Sequence, residues 1–264
     1  MNGIRYINVH NKGISYAKIF YGILFSIIII IALFFFTRPS DSAPDDATES
    51  ESTTEDNSNA NKPDYPTIIL DAGHGGIDPG KVGVNNALEK DINLSIVLKL
   101  QKLLEDEGFT VHLTRNSDKI LGPANSTRPK RDDMLARVDM VKELNPFFVI
   151  SIHQNSFTDP SSSGPQTFYY HESEPSATMA QVLQDILNQS LNPEKNRAPQ
   201  ANTNYYLLTR TPTPTVIVEC GFLSNPKEAD LLISDAYQEK IATAIFDGIL
   251  LYYQSTTSNQ QPSE

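Results

Sequence analysis

The sequence predicts an α/β fold with a mostly parallel central sheet, preceded by a transmembrane helix near the amino terminus. Short apolar runs alternate with amphipathic segments along residues 66–253, as strands and helices do in layered α/β domains. Two of the runs, FFVISIH and TVIVECG, are almost unbroken, as expected for strands that are buried on both faces of a parallel sheet. A separate run without charged residues, from Ile19 to Phe36, is long enough to cross a bilayer.

The first half of the domain is predicted to fold as strand, helix, strand and helix. A strand at residues 67–71 leads into a glycine-rich loop, and Asp91 is expected to cap the helix that follows. The apolar residues of that helix recur every three or four positions and share one face, and Gly108 is expected to end it. The next two elements are a strand at residues 109–115 and an amphipathic helix at residues 131–144.

The second half continues the alternation. Asn225 and Glu228 have the spacing of a helix capping box, with Pro226 at the first helical position. The predicted strands are 147–153, 166–171 and 215–221, with 205–209 as a short strand or turn, and the predicted helices are 176–191 and 236–253.

The amino-terminal segment is predicted to anchor the chain in a membrane. Residues 1–18 carry three basic side chains, so the positive-inside rule makes them a cytoplasmic tail, with 19–37 as a single transmembrane span and everything after it outside. A cleaved signal peptide is the alternative. It is the weaker one, because the small-residue site at 41–43 begins with an aspartate and is followed by Pro44.

Two segments are predicted to be disordered. Residues 38–65 are rich in Asp, Glu, Ser, Thr, Asn and Pro and lack any aliphatic side chain larger than alanine. Such a segment buries too little apolar surface to offset the entropy lost on ordering, so we expect an acidic linker. Residues 254–264 are polar and are predicted to form a carboxyl-terminal tail.

The composition narrows the range of partners. The chain has a formal net charge of −11 and a pI near 4.9, which argues against a nucleic-acid ligand because phosphate binding needs a basic face. Cys220 is the single cysteine of the sequence, so the chain contains no intrachain disulfide.

Four polar residues follow predicted strands or the glycine-rich loop. His74 and Glu89 flank that loop, and His153 and Glu219 lie at the ends of the two most apolar strands. Because parallel strands place their carboxyl ends at one edge of a sheet, these side chains are able to converge. Two histidines and one carboxylate form a catalytic zinc ligand set, and a second carboxylate then serves as general base. This set predicts hydrolysis of an amide or related acyl bond.

Each of these residues also has an ordinary structural interpretation. His74 could be a solvated turn residue, His153 a hydrogen-bonded strand end, and Glu89 an acid that favours the start of a helix. The gaps between the candidate ligands match no short zinc motif. Cys220, with His153 as its base, is a weaker nucleophile candidate, because it follows an apolar run with no basic neighbours and is expected to be a buried, unreactive thiol.

Several motifs together resemble the zinc-dependent N-acetylmuramoyl-L-alanine amidases known as amidase type 3. The resemblance implies an α/β fold with about six strands, flanked by helices. It implies zinc bound by His74, Glu89 and His153, with Glu219 as the catalytic glutamate. The implied reaction is cleavage of the amide between N-acetylmuramic acid and L-alanine in peptidoglycan. The motifs are IILDAGHGGIDPG, ALEKDINLSI, LTR, ISIHQNSF and VIVECGFLSNPKEADLL, in the family's order.

The resemblance supports further expectations about the site and the substrate. Asn155 and Arg115 are candidates for substrate contact or for supporting the ligands. The segment 115–131 is short and polar, so we expect no autoinhibitory helix over the site. The stretch GPQTFYY resembles the spore-cortex members of the family, which remove stem peptides so that muramic-δ-lactam can form.

Two other functions stay open at this point. One is a different zinc hydrolase, such as a carbohydrate deacetylase, which would release acetate rather than peptide. The other is a membrane-tethered wall-binding protein that has kept the fold and lost the chemistry. The resemblance also leaves open whether an accessory protein is needed.

Overall fold

The computed structural model describes residues 65–258, which contain six strands and six helices. The strands are β1 (Thr67–Ala72), β2 (Thr110–Leu113), β3 (Phe148–Asn155), β4 (Gln166–Tyr170), β5 (Gln200–Asn202) and β6 (Thr215–Phe222). The helices are α1 (Glu89–Glu107), α2 (Pro129–Leu144), α3 (Glu174–Leu191), α4 (Tyr206–Arg210), α5 (Pro226–Leu232) and α6 (Asp235–Ser258).

The six strands form one mixed sheet in the order β2-β1-β3-β6-β4-β5. The four strands β2, β1, β3 and β6 are parallel to their neighbours, whereas β4 runs antiparallel to β6 and β5 runs parallel to β4. The prediction of a mostly parallel, helix-flanked sheet of about six strands is confirmed. The carboxyl ends of the four parallel strands all lie at one edge of the sheet.

Helices cover both faces of this sheet, which explains the unbroken apolar runs. On one face α1, α3 and α6 pack over Ile68, Leu70 and Ile150 in the main core. On the other face Val141 of α2 packs against Ile69 of β1 and Val149 of β3. Alternate strand residues therefore enter different cores, and both sides of the central strands are apolar.

The amino terminus of α1 is where the predicted local structure is wrong. The helix begins at Glu89, without a side-chain cap, rather than after Asp91. The N–H of Glu89 instead donates to the Lys81 carbonyl at 3.0 Å, and that of Lys90 donates to the Pro79 carbonyl at 3.1 Å. The glycine-rich loop thus replaces the capping residue and places Glu89 inside the helix, directly beside the loop.

Several other boundaries differ from the predictions. Helix α2 begins at Pro129, two residues earlier than predicted, because proline is favoured in the first turn. Residues 205–209, predicted as a strand or turn, lie largely in helix α4, where Leu208 packs against Phe168 and Ile217. Strand β5 was not predicted, because it is short, polar and lacks an alternating apolar pattern.

In the predicted capping box before α5, the hydrogen bonds to the Asn225 side chain are confirmed. The Asn225 side chain accepts hydrogen bonds from the N–H groups of Lys227 and Glu228. Glu228 does not reach back to Asn225, however, and its carboxylate instead accepts from the N–H groups of Gly164 and Phe222, both at 2.7 Å.

The last helix is longer than predicted. Residues 254–258, assigned to a disordered tail, continue α6, and the hydroxyl groups of Thr256 and Thr257 donate to carbonyls one turn earlier. The predicted cytoplasmic tail at 1–18, the anchor at 19–37, the linker up to residue 64 and residues 259–264 of the predicted tail lie outside the described residues. Between residues 65 and 258, no helix is both long enough and apolar enough to cross a membrane.

Candidate metal centre

The glycine-rich loop after β1 places His74 at the carboxyl edge of the sheet. His74 has a left-handed φ of 63°. Gly73, the residue before it, lies so close to β3 that a Cβ atom there would be 2.2 Å from the ring of His153. Gly80 has a φ of 67°, and a Cβ atom there would be 2.5 Å from a carboxylate oxygen of Glu89. The glycines therefore allow the backbone to pass between the polar side chains.

Glu89 lies between the two histidines. Its Oε1 is 2.9 Å from His153 Nδ1 and 3.2 Å from His74 Nε2, and the residue is 2% exposed. Oε1 also accepts from the Gln154 N–H at 3.2 Å, and Oε2 accepts from the Lys81 N–H at 2.7 Å. Burial alone would raise the pKa of Glu89, but the hydrogen bonds and charges of both histidines hold that pKa well below its usual range.

His74 is held from its other side by a second carboxylate. Its Nδ1 is 2.9 Å from Asp78 Oδ2, and Asp78 in turn pairs with Lys130 at 2.7 Å. Burial would lower the pKa of His74, but Glu89 and Asp78 together raise it to about 9. At metal sites, the histidine ring nitrogen that does not bind the metal is commonly hydrogen-bonded to a carboxylate, which orients the ring.

The three side chains form a group of the kind that could hold a metal ion. One ligand atom from each of His74, Glu89 and His153 lies within 4.8 Å of the others. Ligands of tetrahedral zinc lie about 3.3 Å apart, given bond lengths of about 2.0–2.1 Å. Imidazole nitrogen and carboxylate oxygen are donors that zinc accepts, and three protein ligands leave a position open for water. The histidine side chains are 26% and 20% exposed, so solvent reaches this trio.

Glu219 lies next to the trio on β6, where it pairs in register with His153. It is 8% exposed, and within residues 65–258 its Oε2 is buried without a hydrogen-bond partner. Burial is the main cause that raises the pKa of this carboxyl to about 7. Glu219 and His153 line the same cavity of ≈ 100 Å³, together with Tyr205.

The three remaining candidates from the sequence take different positions. Arg115 is 2% exposed and donates to backbone carbonyls of the loop, so it lies behind the ligands rather than facing a substrate. Asn155 ends β3, where its side-chain oxygen accepts from the Ser156 N–H at 2.8 Å. Cys220 is buried, and burial raises the pKa of its thiol, as expected for an unreactive cysteine.

Two residues that sequence reasoning missed lie close to the site. Asp78 orients His74, as described above. Arg137 is 1% exposed and donates to Asp71, to Asp133 at 2.9 Å and to the His74 carbonyl at 2.8 Å. The signal for Arg137 was its position, since it shares a helix face with the apolar Val141 and is four residues after Asp133.

The segment before α2 contributes no helix that lies over the site. In the predicted segment 115–131, residues 115–128 contain no helix or strand, and residues 129–131 form the first turn of α2 rather than an inserted helix. The prediction that no inserted autoinhibitory helix lies in this segment is confirmed.

Comparison with known proteins gives concordant matches. The N-acetylmuramoyl-L-alanine amidase family (Amidase_3) matches residues 68–250. The chain is 37% identical over 189 residues to the germination-specific N-acetylmuramoyl-L-alanine amidase of Bacillus subtilis (strain 168), covering 70% of this chain and 79% of that protein.

Solved structures match over the same region. The CwlD amidase of Clostridioides difficile, solved in complex with the GerS lipoprotein, is 40% identical with a TM-score of 0.70, covering 72% of this chain and 100% of that one. The catalytic domain of CwlV from Bacillus (Paenibacillus) polymyxa var. colistinus is 30% identical with a TM-score of 0.63, covering 71% and 98%.

Proposed function

The chain belongs to the N-acetylmuramoyl-L-alanine amidase family, as its motifs predicted, and we propose that it is a zinc-dependent amidase of spore-cortex peptidoglycan. The observation that carries the zinc assignment is the convergence of His74, Glu89 and His153, whose ligand atoms lie within 4.8 Å of one another. The proposed reaction is hydrolysis of the amide between the lactyl group of N-acetylmuramic acid and L-alanine.

His74, Glu89 and His153 would hold the metal. When bound, zinc polarises the substrate carbonyl and lowers the pKa of a water molecule, which supplies a nucleophile at neutral pH. Asp78 keeps the ring of His74 oriented through its Nδ1. The backbone N–H groups of Lys81 and Gln154 hold the carboxylate of Glu89, so this ligand is positioned beside both histidines.

Glu219 is proposed to move the proton. Its carboxylate accepts the proton that water loses as the water oxygen bonds to the carbonyl carbon. It then donates that proton to the alanine nitrogen as the carbon–nitrogen bond breaks. A carboxyl group whose pKa is raised to about 7 by burial suits both steps, because the proton is gained and released at similar cost near neutral pH.

Spore cortex is the proposed substrate because of the relatives. The Bacillus subtilis protein is named as germination-specific, and the chain is 37% identical to it. Removal of the stem peptide by this chain would free the lactyl carboxyl group, which becomes the carbonyl of muramic-δ-lactam after a separate deacetylation of the 2-amino group. The C. difficile CwlD amidase was solved with a lipoprotein, and at 40% identity this supports an accessory protein as a partner here too.

We also propose that residues 19–37 anchor the enzyme, with the catalytic domain outside the cytoplasmic membrane. This proposal depends on the uncharged run from Ile19 to Phe36 and on the basic residues before it. Protease accessibility of the catalytic domain in intact protoplasts of vegetative cells that express the chain tests this topology. Protection of residues 65–258 until the membrane is lysed would contradict it.

The function is tested by digestion of purified peptidoglycan with the full-length chain in detergent. Vegetative and cortex-type walls are each treated with zinc-loaded enzyme and with chelated enzyme, and the products are identified by mass spectrometry. We expect free stem peptides beginning with L-alanine, only with zinc and preferentially from cortex. Released acetate without peptide would favour a deacetylase, and equal digestion of both walls would contradict the cortex assignment.

A further inference from the structure

Two buried arginines hold three successive carbonyl groups of the ligand loop. Arg115 donates to the carbonyls of Ala72 and Gly73 at 2.9 and 3.0 Å. Arg137 donates to the carbonyls of Ala72 and His74 at 2.9 and 2.8 Å. Both guanidinium groups belong to residues that are at most 2% exposed. The backbone that leads into His74 is therefore fixed at every carbonyl.

Arg115 also connects the loop to the second ligand. Its Nη2 donates at 2.7 Å to the carbonyl of Lys90, the residue that follows Glu89 in α1. Its hydrogen bonds within residues 65–258 all go to backbone carbonyls, and in that range it forms no ion pair with a carboxylate. A buried positive charge used in this way fixes the positions of His74 and Glu89 relative to each other.

Arg137 combines carbonyl contacts with ion pairs. It pairs with Asp71 and Asp133, which places its guanidinium between β1 and α2. Its planar group has donors pointing in several fixed directions, so it reaches both carboxylates and both carbonyls at once. Lysine has one compact ammonium group and is unable to match all four acceptors.

The loop needs such support because His74 adopts an unfavourable backbone conformation. A φ of 63° is uncommon for a residue other than glycine, and it persists only where the surroundings impose it. The Arg137 contact to the His74 carbonyl acts on this residue directly. Without it the backbone is free to relax, and the imidazole would turn away from Glu89.

We infer that Arg115 and Arg137 are positioning residues that preset the ligand loop and thereby set the affinity of the site for zinc. This inference rests on the proposed function, since it concerns the same metal site. Neither side chain touches the predicted ligand atoms, so the effect acts through the backbone of residues 72–74 and 90. Loss of such supporting contacts lowers metal affinity roughly 10- to 100-fold.

Arg137→Lys tests this in the full-length chain in detergent, with Val141→Ala as the matched control. Val141 lies one turn further along α2 and is fully buried, and it packs against Ile69 and Val149 rather than the loop. Zinc dissociation constants are measured by competition with a chromogenic chelator, and thermal unfolding of the zinc-free proteins by circular dichroism. Both variants should unfold at a lower temperature than the wild type, but Arg137→Lys alone should bind zinc roughly 10- to 100-fold more weakly.

Arg115→Lys is the second test and decides the question if Arg137→Lys fails to fold. It should weaken zinc binding to a similar extent, because one ammonium group is unable to hold the carbonyls of Ala72, Gly73 and Lys90 together. Dissociation constants of the folded arginine variants equal to that of Val141→Ala would overturn the inference and leave the zinc assignment intact. Absence of zinc binding by the wild type would instead overturn the proposed function.

Discussion

Two buried glutamates lie in the same site, and their surroundings are opposite. The carboxylate of Glu89 contacts both histidines and two backbone N–H groups, which hold its pKa low despite burial. Glu219 has one oxygen without a partner in the described part of the chain, and burial raises its pKa to about 7. A carboxylate fixed by hydrogen bonds is suited to hold a cation, and one left free is suited to exchange a proton.

The largest expected effect comes from replacing Glu89, the carboxylate that is fixed by hydrogen bonds. Glu89→Gln replaces a charged ligand by a neutral amide and leaves two imidazoles to bind zinc alone. We expect no zinc to remain after dialysis and no measurable turnover, with zinc stoichiometry read by elemental analysis. Chelated wild type should lose turnover in the same way and recover it when zinc is added, whereas the variant should not. One zinc per chain in Glu89→Gln would show that this carboxylate is not a ligand.

The next effect separates the roles of the two acids. Glu219→Gln removes the proton acceptor, so turnover should fall roughly 10²- to 10⁴-fold while one zinc per chain is retained. Stability should not decrease, because an ionisable group without a partner is costly to bury and the amide is neutral. Turnover is measured by release of stem peptides, and stability by thermal unfolding. Turnover within tenfold of the wild type would remove Glu219 from the mechanism.

Sequence alone predicted the positions of these two acids, and the resemblance implied a ligand role for Glu89 and a catalytic role for Glu219. The contacts that set their pKa values apart were not predicted. His74, His153 and Glu219 follow strands whose parallel arrangement is evident from the apolar runs, so their convergence was predictable. Glu89 was expected before a helix capped by Asp91, whereas it lies inside the first turn of α1. The backbone N–H of Glu89 donates to the Lys81 carbonyl of the loop, and this tertiary contact has no local sequence signal.

Arg115 was predicted as a candidate for supporting the ligands, but the contacts of Arg137 were missed for a related reason. Arg137 belongs to an amphipathic helix in which charged residues are expected at the surface, and only the fold brings it beside Asp71 of β1. The antiparallel direction of β4 was also not predictable from the sequence, because the apolar pattern of a strand does not encode its direction. Local patterns therefore predicted which polar residues meet at this edge of the sheet, and long-range contacts determined how those residues are held.

A third buried acid extends the comparison to stability. Burial alone would raise the pKa of Asp71, but the charges of Arg137 and His153 and the hydrogen bonds of Ser151 and Thr114 lower it to about 2. A lowered pKa in the folded state stabilises the protein above the unfolded pKa of 3.8, and this contribution is lost as the pH falls towards 2. It amounts to about 2 kcal/mol of unfolding free energy by linkage.

Asp71→Asn measures this contribution. Denaturant unfolding of the zinc-free wild type should show that the free energy of unfolding decreases between pH 5 and pH 2. In the variant, this decrease should be smaller than in the wild type by about 2 kcal/mol. The variant should also be less stable at pH 7, because Arg137 then loses one of its two buried partners. Parallel pH profiles for the two proteins would show that Asp71 is not held ionised by Arg137.

The smallest expected effect concerns the carboxylate behind His74. Asp78→Asn keeps an oxygen near Nδ1 but removes the charge that orients the ring, so zinc should bind about tenfold more weakly. Lys130→Gln is the matched control, because it removes the exposed ion-pair partner of Asp78, and such pairs contribute only about 0–1 kcal/mol. Its zinc affinity should stay close to that of the wild type. If Asp78→Asn binds zinc as tightly as Lys130→Gln, then the Asp78 carboxylate does not orient His74, and the position of its ring is set by Glu89 and by the backbone contacts of the loop.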